Sequence, residues 1–163
     1  MCTGAGADCS SGAGRALKRV VRSAIVEHPA AAVYSLVDDI ESYPDFLPWC
    51  RGAKVLERGP NRTVATLTVG MRSIRQSFTT ENANRPGEGI DLRLVEGPFR
   101  RFVAAWRFSP LDEYSARIEF SMEYDFSSKV LGKVLEPLFN QIADTMVTAF
   151  SRRANQLYGK AEG

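Results

Sequence analysis

The side chains best suited to chemistry are few. The chain carries one histidine, His28, and three cysteines, Cys2, Cys9 and Cys50. A catalytic zinc usually takes three protein ligands from His, Cys and carboxylate, and the spacing here assembles no such set. A Ser-His-Asp or Cys-His device would have to use His28. That residue stands in Glu27-His28-Pro29, where an extended run gives way to a helix, and reads as a polar residue in a connection. Cys50 lies between Trp49 and Arg51 and reads as a small semi-buried residue rather than an activated nucleophile. Cys2 and Cys9 fall in MCTGAGADCSSGAG, a stretch too poor in apolar residues to pack. No structural disulfide is expected, and the cysteine usage fits a reducing cytoplasm. No catalytic residue and no metal ligand is assigned.

The elements that would position any site follow from periodicity. Residues 18–27 read as a first strand, and Pro29 opens a helix whose apolar face is Val33, Leu36, Val37 and Ile40. A second short helix or turn is bracketed by Pro44 and Pro48. Alternation of period two then runs to residue 126. Ala65, Leu67, Val69 and Met71 share a face, as do Ile74, Gln76 and Phe78, then Ile90, Leu92 and Leu94, then Phe102, Ala104, Trp106 and Phe108. The longest case places Ala116, Ile118, Phe120, Met122, Tyr124 and Phe126 on one side and Arg117, Glu119, Ser121, Glu123 and Asp125 on the other. Such strands build an antiparallel sheet with one dry face. Turn residues separate them at Gly59-Pro60-Asn61, Arg85-Pro86-Gly87, Gly97-Pro98 and Ser109-Pro110 with Asp112. From about Ser128 to Tyr158 the pattern is helical, with Leu131, Leu135, Leu138, Ile142, Met146, Ala149 and Phe150 as its apolar stripe and Gly159 as its cap. Pro137 is expected to kink or break it near residues 133–136. The order is strand, two short helices, six strands, long helix. This is an α+β domain in which a curved antiparallel sheet grips the C-terminal helix.

The 163 residues and 18.0 kDa fit a single domain over residues 16–160, preceded by a disordered tail at residues 1–15. The formal net charge of +2 argues against a globally basic nucleic-acid binder, and DNA is not an expected partner. Arg15, Lys18, Arg19 and Arg22 form a small basic cluster that reads as a charged strand edge. No run of about 18 apolar residues exists, so no transmembrane helix is expected, and the N-terminus lacks the apolar core of a secretory signal.

The inward residues combine large aromatics, Phe78, Trp106, Phe108, Phe120 and Phe126, with adaptable Met71, Met122 and Met146. Gln76 and Tyr124 add polar groups to the same face. An apolar pocket with a few polar groups marks many small-molecule sites, yet composition alone favours a filled core. The segment Tyr43-Pro44-Asp45-Phe46-Leu47-Pro48-Trp49 concentrates apolar residues in a connection. It reads as a lid over the open end of the grip, a membrane-interface contact, or a staple closing the core. The carboxylates Glu119, Glu123 and Asp125 point outward, which leaves no interior pair for acid–base work.

The segments YPDFLPWC (43–50), LTVGM (67–71), EGPFRRF (96–102), WRFSP (106–110), IEFSMEYDF (118–126) and MVTAFSRRANQLYG (146–159) together resemble the coenzyme-Q-binding START-domain family. More narrowly they are similar to its bacterial ribosome-association toxin branch, within the Bet v 1-like and polyketide cyclase helix-grip superfamily. Met71 stands where many members have Phe. The resemblance implies a helix-grip fold with a deep apolar cavity that binds ubiquinone or a similar prenyl lipid, in support of respiration and without catalysis. The residues expected to contact that ligand are Phe46, Leu47, Trp49, Leu67, Val69, Met71, Phe78, Leu94, Phe99, Trp106, Phe108, Phe120, Met122, Tyr124, Leu138, Ile142 and Met146. Tyr124, Gln76 and Trp106 are the candidate donors to a quinone carbonyl. As an alternative, the resemblance implies another partner, the large ribosomal subunit, with subunit association blocked. Such binding needs a basic surface, for which the first-strand cluster and Arg72, Arg75, Arg100, Arg101, Arg152 and Arg153 are candidates. A polyketide cyclase-like enzyme ranks third. The expected location is cytoplasmic, with peripheral contact at the inner membrane as the alternative.

Overall fold

The computed structural model describes residues 17–159, so the predicted tail with Cys2, Cys9 and Arg15 lies outside the described residues. Seven strands form one antiparallel sheet: β1 (Lys18–Val26), β2 (Cys50–Arg58), β3 (Arg62–Met71), β4 (Ile74–Arg85), β5 (Gly89–Glu96), β6 (Phe99–Asp112) and β7 (Ser115–Phe126). Their order across the sheet is β1-β7-β6-β5-β4-β3-β2. Sequential hairpins build β2 through β7, and β1 joins at the far side by pairing Lys18 with Tyr124 through Val26 with Ala116. A helix, α1 (Ala30–Asp38), and a 3-10 turn (Ile40–Asp45) connect β1 to β2, and α2 (Lys129–Tyr158) closes the chain. This is the helix-grip architecture expected from the alternation.

The sheet's dry face is the predicted one. Val69, Phe78, Ile90, Phe102, Ala104, Trp106, Phe108, Ala116, Ile118, Phe120, Met122 and Tyr124 are all buried. They meet α2 residues spaced at three and four, namely Leu135, Leu138, Phe139, Ile142, Met146, Val147 and Phe150. Each large side chain so removed from water contributes about 1.5–3 kcal/mol. At one end Phe139 sits among the rings of Phe99 (5.3 Å), Phe126 (5.5 Å) and Tyr124 (5.6 Å). Edge-on and tilted geometries prevail in this cluster, as ring quadrupoles favour.

Two expectations fail. Pro137 does not break α2, which runs unbroken for 30 residues. Pro137 and Lys133 both lie on the exposed side, so the Lys133 carbonyl left without a donor faces water and its cost is reduced. Pro110 does not end β6 either. The strand continues to Asp112, with a register irregularity between Pro110 and Asp112, the kind of position where a strand tolerates proline. The turn follows at Asp112, whose carboxylate accepts from the Tyr114 N–H at 2.7 Å and the Ser115 hydroxyl at 3.0 Å.

The ends of α2 are defined as the sequence suggests. The Ser128 hydroxyl accepts from the Leu131 N–H at 3.1 Å, and Gly159 takes φ 76° just past the last turn. The edge strand β1 is tied to α2 by Lys18–Glu136 at 2.7 Å and Arg22–Asp144 at 2.9 Å. Those pairs consume part of the first-strand basic cluster. No helix among the described residues is long and apolar enough to cross a membrane.

Candidate functional site

An internal cavity of about 60 Å³ lies between the dry face of the sheet and α2. Of the residues expected to contact a ligand, Trp49, Leu67, Val69, Phe78, Trp106, Phe120, Met122, Ile142 and Met146 line it. Tyr43, Thr80, Leu92, Phe102, Ala104 and Phe139 line it as well and were not assigned from sequence. Leu92, Phe102 and Ala104 were legible as inward residues, and Tyr43 belonged to the apolar connection. Phe139 had no such signal beyond its place beside Leu138 on the helix. Among these residues there is no carboxylate, imidazole or thiol.

The other expected contacts lie elsewhere. Leu47 and Leu138 are fully buried in the core behind the wall. Phe99 belongs to the aromatic cluster around Phe139, and Phe108 packs at the opposite end against Tyr34 at 5.7 Å. Met71 and Leu94 pack partly exposed at the rim of the core. Phe46 sits outside, edge-on to Phe150 at 5.1 Å and under the Arg153 guanidinium at 5.1 Å. Gln76, a candidate donor, does not reach the cavity.

The connection between the two prolines is a staple. Trp49 is only 2% exposed, and its indole N–H donates to the Thr145 hydroxyl at 3.0 Å. The Tyr43 hydroxyl donates to the Val37 carbonyl within the same closure. Burial of Trp49 and Leu47 removes both from a membrane interface, because an anchoring indole must stand in contact with lipid.

Polar groups around the cavity are mostly satisfied. Thr80 donates to the Asn82 side-chain oxygen at 2.8 Å. The Trp106 indole N–H has no hydrogen-bond partner among the described residues. Tyr124 is 0% exposed, and its buried hydroxyl also has no partner. Burial raises its pKa, the nearby Lys18 opposing and Glu136 adding to the shift. Tyr124 sits directly behind the wall, beside Phe102 in the β6–β7 ladder and 5.6 Å from the Phe139 ring. An unpaired buried hydroxyl costs about 1–3 kcal/mol.

The nucleophile candidates are spent on structure. Burial pushes the Cys50 thiol up to about 11, so it stays protonated at neutral pH. His28 is buried and hydrogen-bonds the Asn155 side chain at 2.7 Å, joining the end of β1 to the last turns of α2. On the wet face Glu123 pairs with Arg101 at 3.5 Å and Asp125 with Arg100 at 3.7 Å, as outward carboxylates do.

Comparison with known proteins agrees with this geometry. Residues 26–151 match the family described as polyketide cyclase / dehydrase and lipid transport. The ribosome association toxin RatA of Vibrio cholerae is 42% identical over 144 residues, covering 88% of this chain and 100% of that protein. The mitochondrial coenzyme Q-binding protein COQ10 of Dictyostelium discoideum is 26% identical over 140 residues, covering 83% of this chain and 68% of that protein. Among solved structures, the Zhui aromatase/cyclase of Streptomyces sp. R1128 superimposes with a TM-score of 0.78 at 20% identity, covering 91% of this chain and 99% of that one. At that identity the likeness is one of fold.

Proposed function

The chain belongs to the polyketide cyclase/dehydrase and lipid transport family, and from that premise we propose that it binds an apolar, ring-bearing lipid of the isoprenoid quinone class between sheet and α2. The supporting observation is the cavity wall, which is aromatic, aliphatic and sulfur-containing and leaves the Trp106 indole N–H as an unpaired donor for a carbonyl. The existing void is about 60 Å³, well below the roughly 300 Å³ of an ordinary ligand pocket. Binding therefore requires the wall to open. Met122 and Met146 are unbranched and re-pack at low cost, and the Tyr43–Trp49 staple closes over the same space. Lipids extracted from protein purified out of a quinone-producing host test the reading. A prenyl quinone above the level in a denatured control is the expected result, and its absence sinks the reading.

A second reading is favoured by one observation, the 42% identity over the full length of a relative named ribosome association toxin RatA. On this reading the chain binds the large ribosomal subunit and opposes subunit association. Sucrose-gradient profiles with added protein decide it, since unchanged 70S levels at excess protein would remove it. The cavity wall offers no acid–base pair, and enzymatic turnover is not proposed.

A further inference from the structure

The outer face of the sheet is unevenly compensated. Across its middle the arginines are matched. Arg62 and Arg93 hold Glu81, Arg85 and Arg107 each reach Asp91 at 2.8 Å, and Arg101 and Arg100 pair with Glu123 and Asp125. Toward the Met71–Ile74 end of β2, β3 and β4 the pattern stops. Arg51, Lys54, Arg72 and Arg75 are exposed and pair with no carboxylate among the described residues. Arg19 and Arg117, also without a carboxylate partner, stand near the opposite edge.

The four cations frame a surface of hydroxyls. Register places Lys54, Thr66 and Thr79 in one rung, Gly52, Thr68 and Ser77 in the next, and Gly70 opposite Arg75. Thr66 and Thr79 share a hydrogen bond at 2.6 Å, and Thr68 and Ser77 one at 2.8 Å. Arg51 lies across Gly70, where a Cβ would stand 3.1 Å from its Cγ and 2.8 Å from the Ile74 carbonyl. The carboxylates bordering the face are Glu57 and Glu81, both held by arginine, and Glu96 across from Thr79. Apolar Met71 and Ile74 at the hairpin end pack against the core instead of projecting outward.

A separate observation concerns the hairpin tip. Arg72 has φ 58°, the only non-glycine residue among those described with a positive φ. Glycine takes that conformation without penalty, whereas a bulky side chain is strained in it. Strain of this kind persists where the surrounding structure, here the two-residue Arg72-Ser73 loop between Met71 and Ile74, over-determines it, and it recurs at ligand clamps.

We propose that this face, with Arg51, Lys54, Arg72 and Arg75 around the Thr68–Ser77 rung, docks the phosphate backbone of RNA. Arginine, lysine and hydroxyl side chains are the groups that contact phosphate and sugar, and Leu56, the one large apolar side chain exposed on β2, β3 and β4 among the described residues, is too little apolar surface to seat in a bilayer. The patch lies on the face opposite the cavity. It is therefore independent of the apolar-ligand reading, and for the identity of the RNA it rests on the ribosome-association reading.

The test is fluorescence anisotropy of a labelled RNA hairpin titrated with the full chain over a series of salt concentrations. Four phosphate contacts give a slope of log affinity against log salt of about −3. The quadruple variant R51A/K54A/R72A/R75A should flatten that slope toward zero. A control with the same charge loss, R93A/R100A/R101A/R107A, should leave it unchanged. The single change Arg72→Gly should lower the slope magnitude by about one while raising the melting temperature, a combination that misfolding cannot produce. Absence of RNA binding by the wild type, or equal losses in both quadruple variants, overturns the proposal. Retention on phosphatidylglycerol vesicles in preference to RNA overturns it as well and makes the face membrane-directed. Lipid extraction from the R51A/K54A/R72A/R75A variant separates the readings, because a lost RNA contact leaves the extracted lipid unchanged. Ribosome cosedimentation of the wild type separates a failed RNA contact from failed ribosome association.

Discussion

The indole N–H of Trp49 donates to the Thr145 hydroxyl at 3.0 Å, and Thr145 donates in turn to the Gln141 carbonyl at 2.7 Å. One hydroxyl thus fastens the proline-bracketed connection to the middle of α2. Replacing Thr145 by Val leaves a buried indole N–H unpaired, which costs about 1–3 kcal/mol. Urea denaturation of Thr145→Val, Trp49→Phe and the double variant should give a double variant less destabilised than the sum of the singles. Strict additivity would show that the two side chains do not act as a unit.

Tyr124→Phe is expected to stabilise the protein. The hydroxyl has no partner and is fully enclosed, so its removal relieves up to about 1–3 kcal/mol without changing the ring packing. A lower unfolding midpoint for Tyr124→Phe would reveal a hydrogen bond that the enclosed hydroxyl makes in solution. If the variant also lost extracted quinone, Tyr124 would share the donor role proposed for Trp106.

Filling the void separates ligand capacity from stability. Ala104 lines the cavity and faces α2. Ala104→Val places two further methyl groups in a space of about 60 Å³ and should be neutral or stabilising by about 1 kcal/mol. On the proposed quinone-binding reading, the amount of prenyl lipid recovered per mole of protein should fall at the same time. Unchanged recovery would place the ligand away from this wall.

The acid limb of stability is expected to involve Asp91. Burial alone would raise its pKa, but hydrogen bonds from Arg107 and Arg85 outweigh it and the net shift is downward. A carboxyl with a lowered native pKa binds fewer protons folded than unfolded, so its contribution is present above the ordinary carboxylate value near 4 and is lost as the pH falls below it. Asp91→Asn should therefore lower the melting temperature at neutral pH and make it less sensitive to acid below about pH 4. An acid dependence as steep as that of the wild type would exclude Asp91 as a contributor.

Much of the fold was legible because β7 and β6 each present one face to α2 and the other to water, so that burial alternates residue by residue from Ala116 to Tyr124. The long helix was equally plain, yet its continuity through Pro137 was not. That outcome depends on Lys133 facing solvent, which only the packed arrangement determines. The site was partly legible. Trp106, Phe120 and Met122 were recognisable as inward residues, but alternation cannot distinguish a side chain that borders a void from one that fills it, as Phe108 and Tyr124 do. The cationic face was less legible still. Arg100 and Arg101 looked as available as Arg72 and Arg75, and only the packed side chains show that Asp125 and Glu123 hold them.

The sheet order also fixes when the fold can be finished. β1 leaves the synthetic machinery first, and its pairing partner β7 emerges about one hundred residues later, since Lys18 aligns with Tyr124. At ordinary elongation rates that interval is on the order of 5–20 s. During it β2 through β5 can close as local hairpins, whereas β1 has no strand beside it and α2 has not been made. The strand made first is thus seated among the last, and its docking coincides with closure of the helix over the sheet. A nascent chain arrested before β7 should accordingly leave β1 open to proteolysis, and one arrested beyond α2 should protect it.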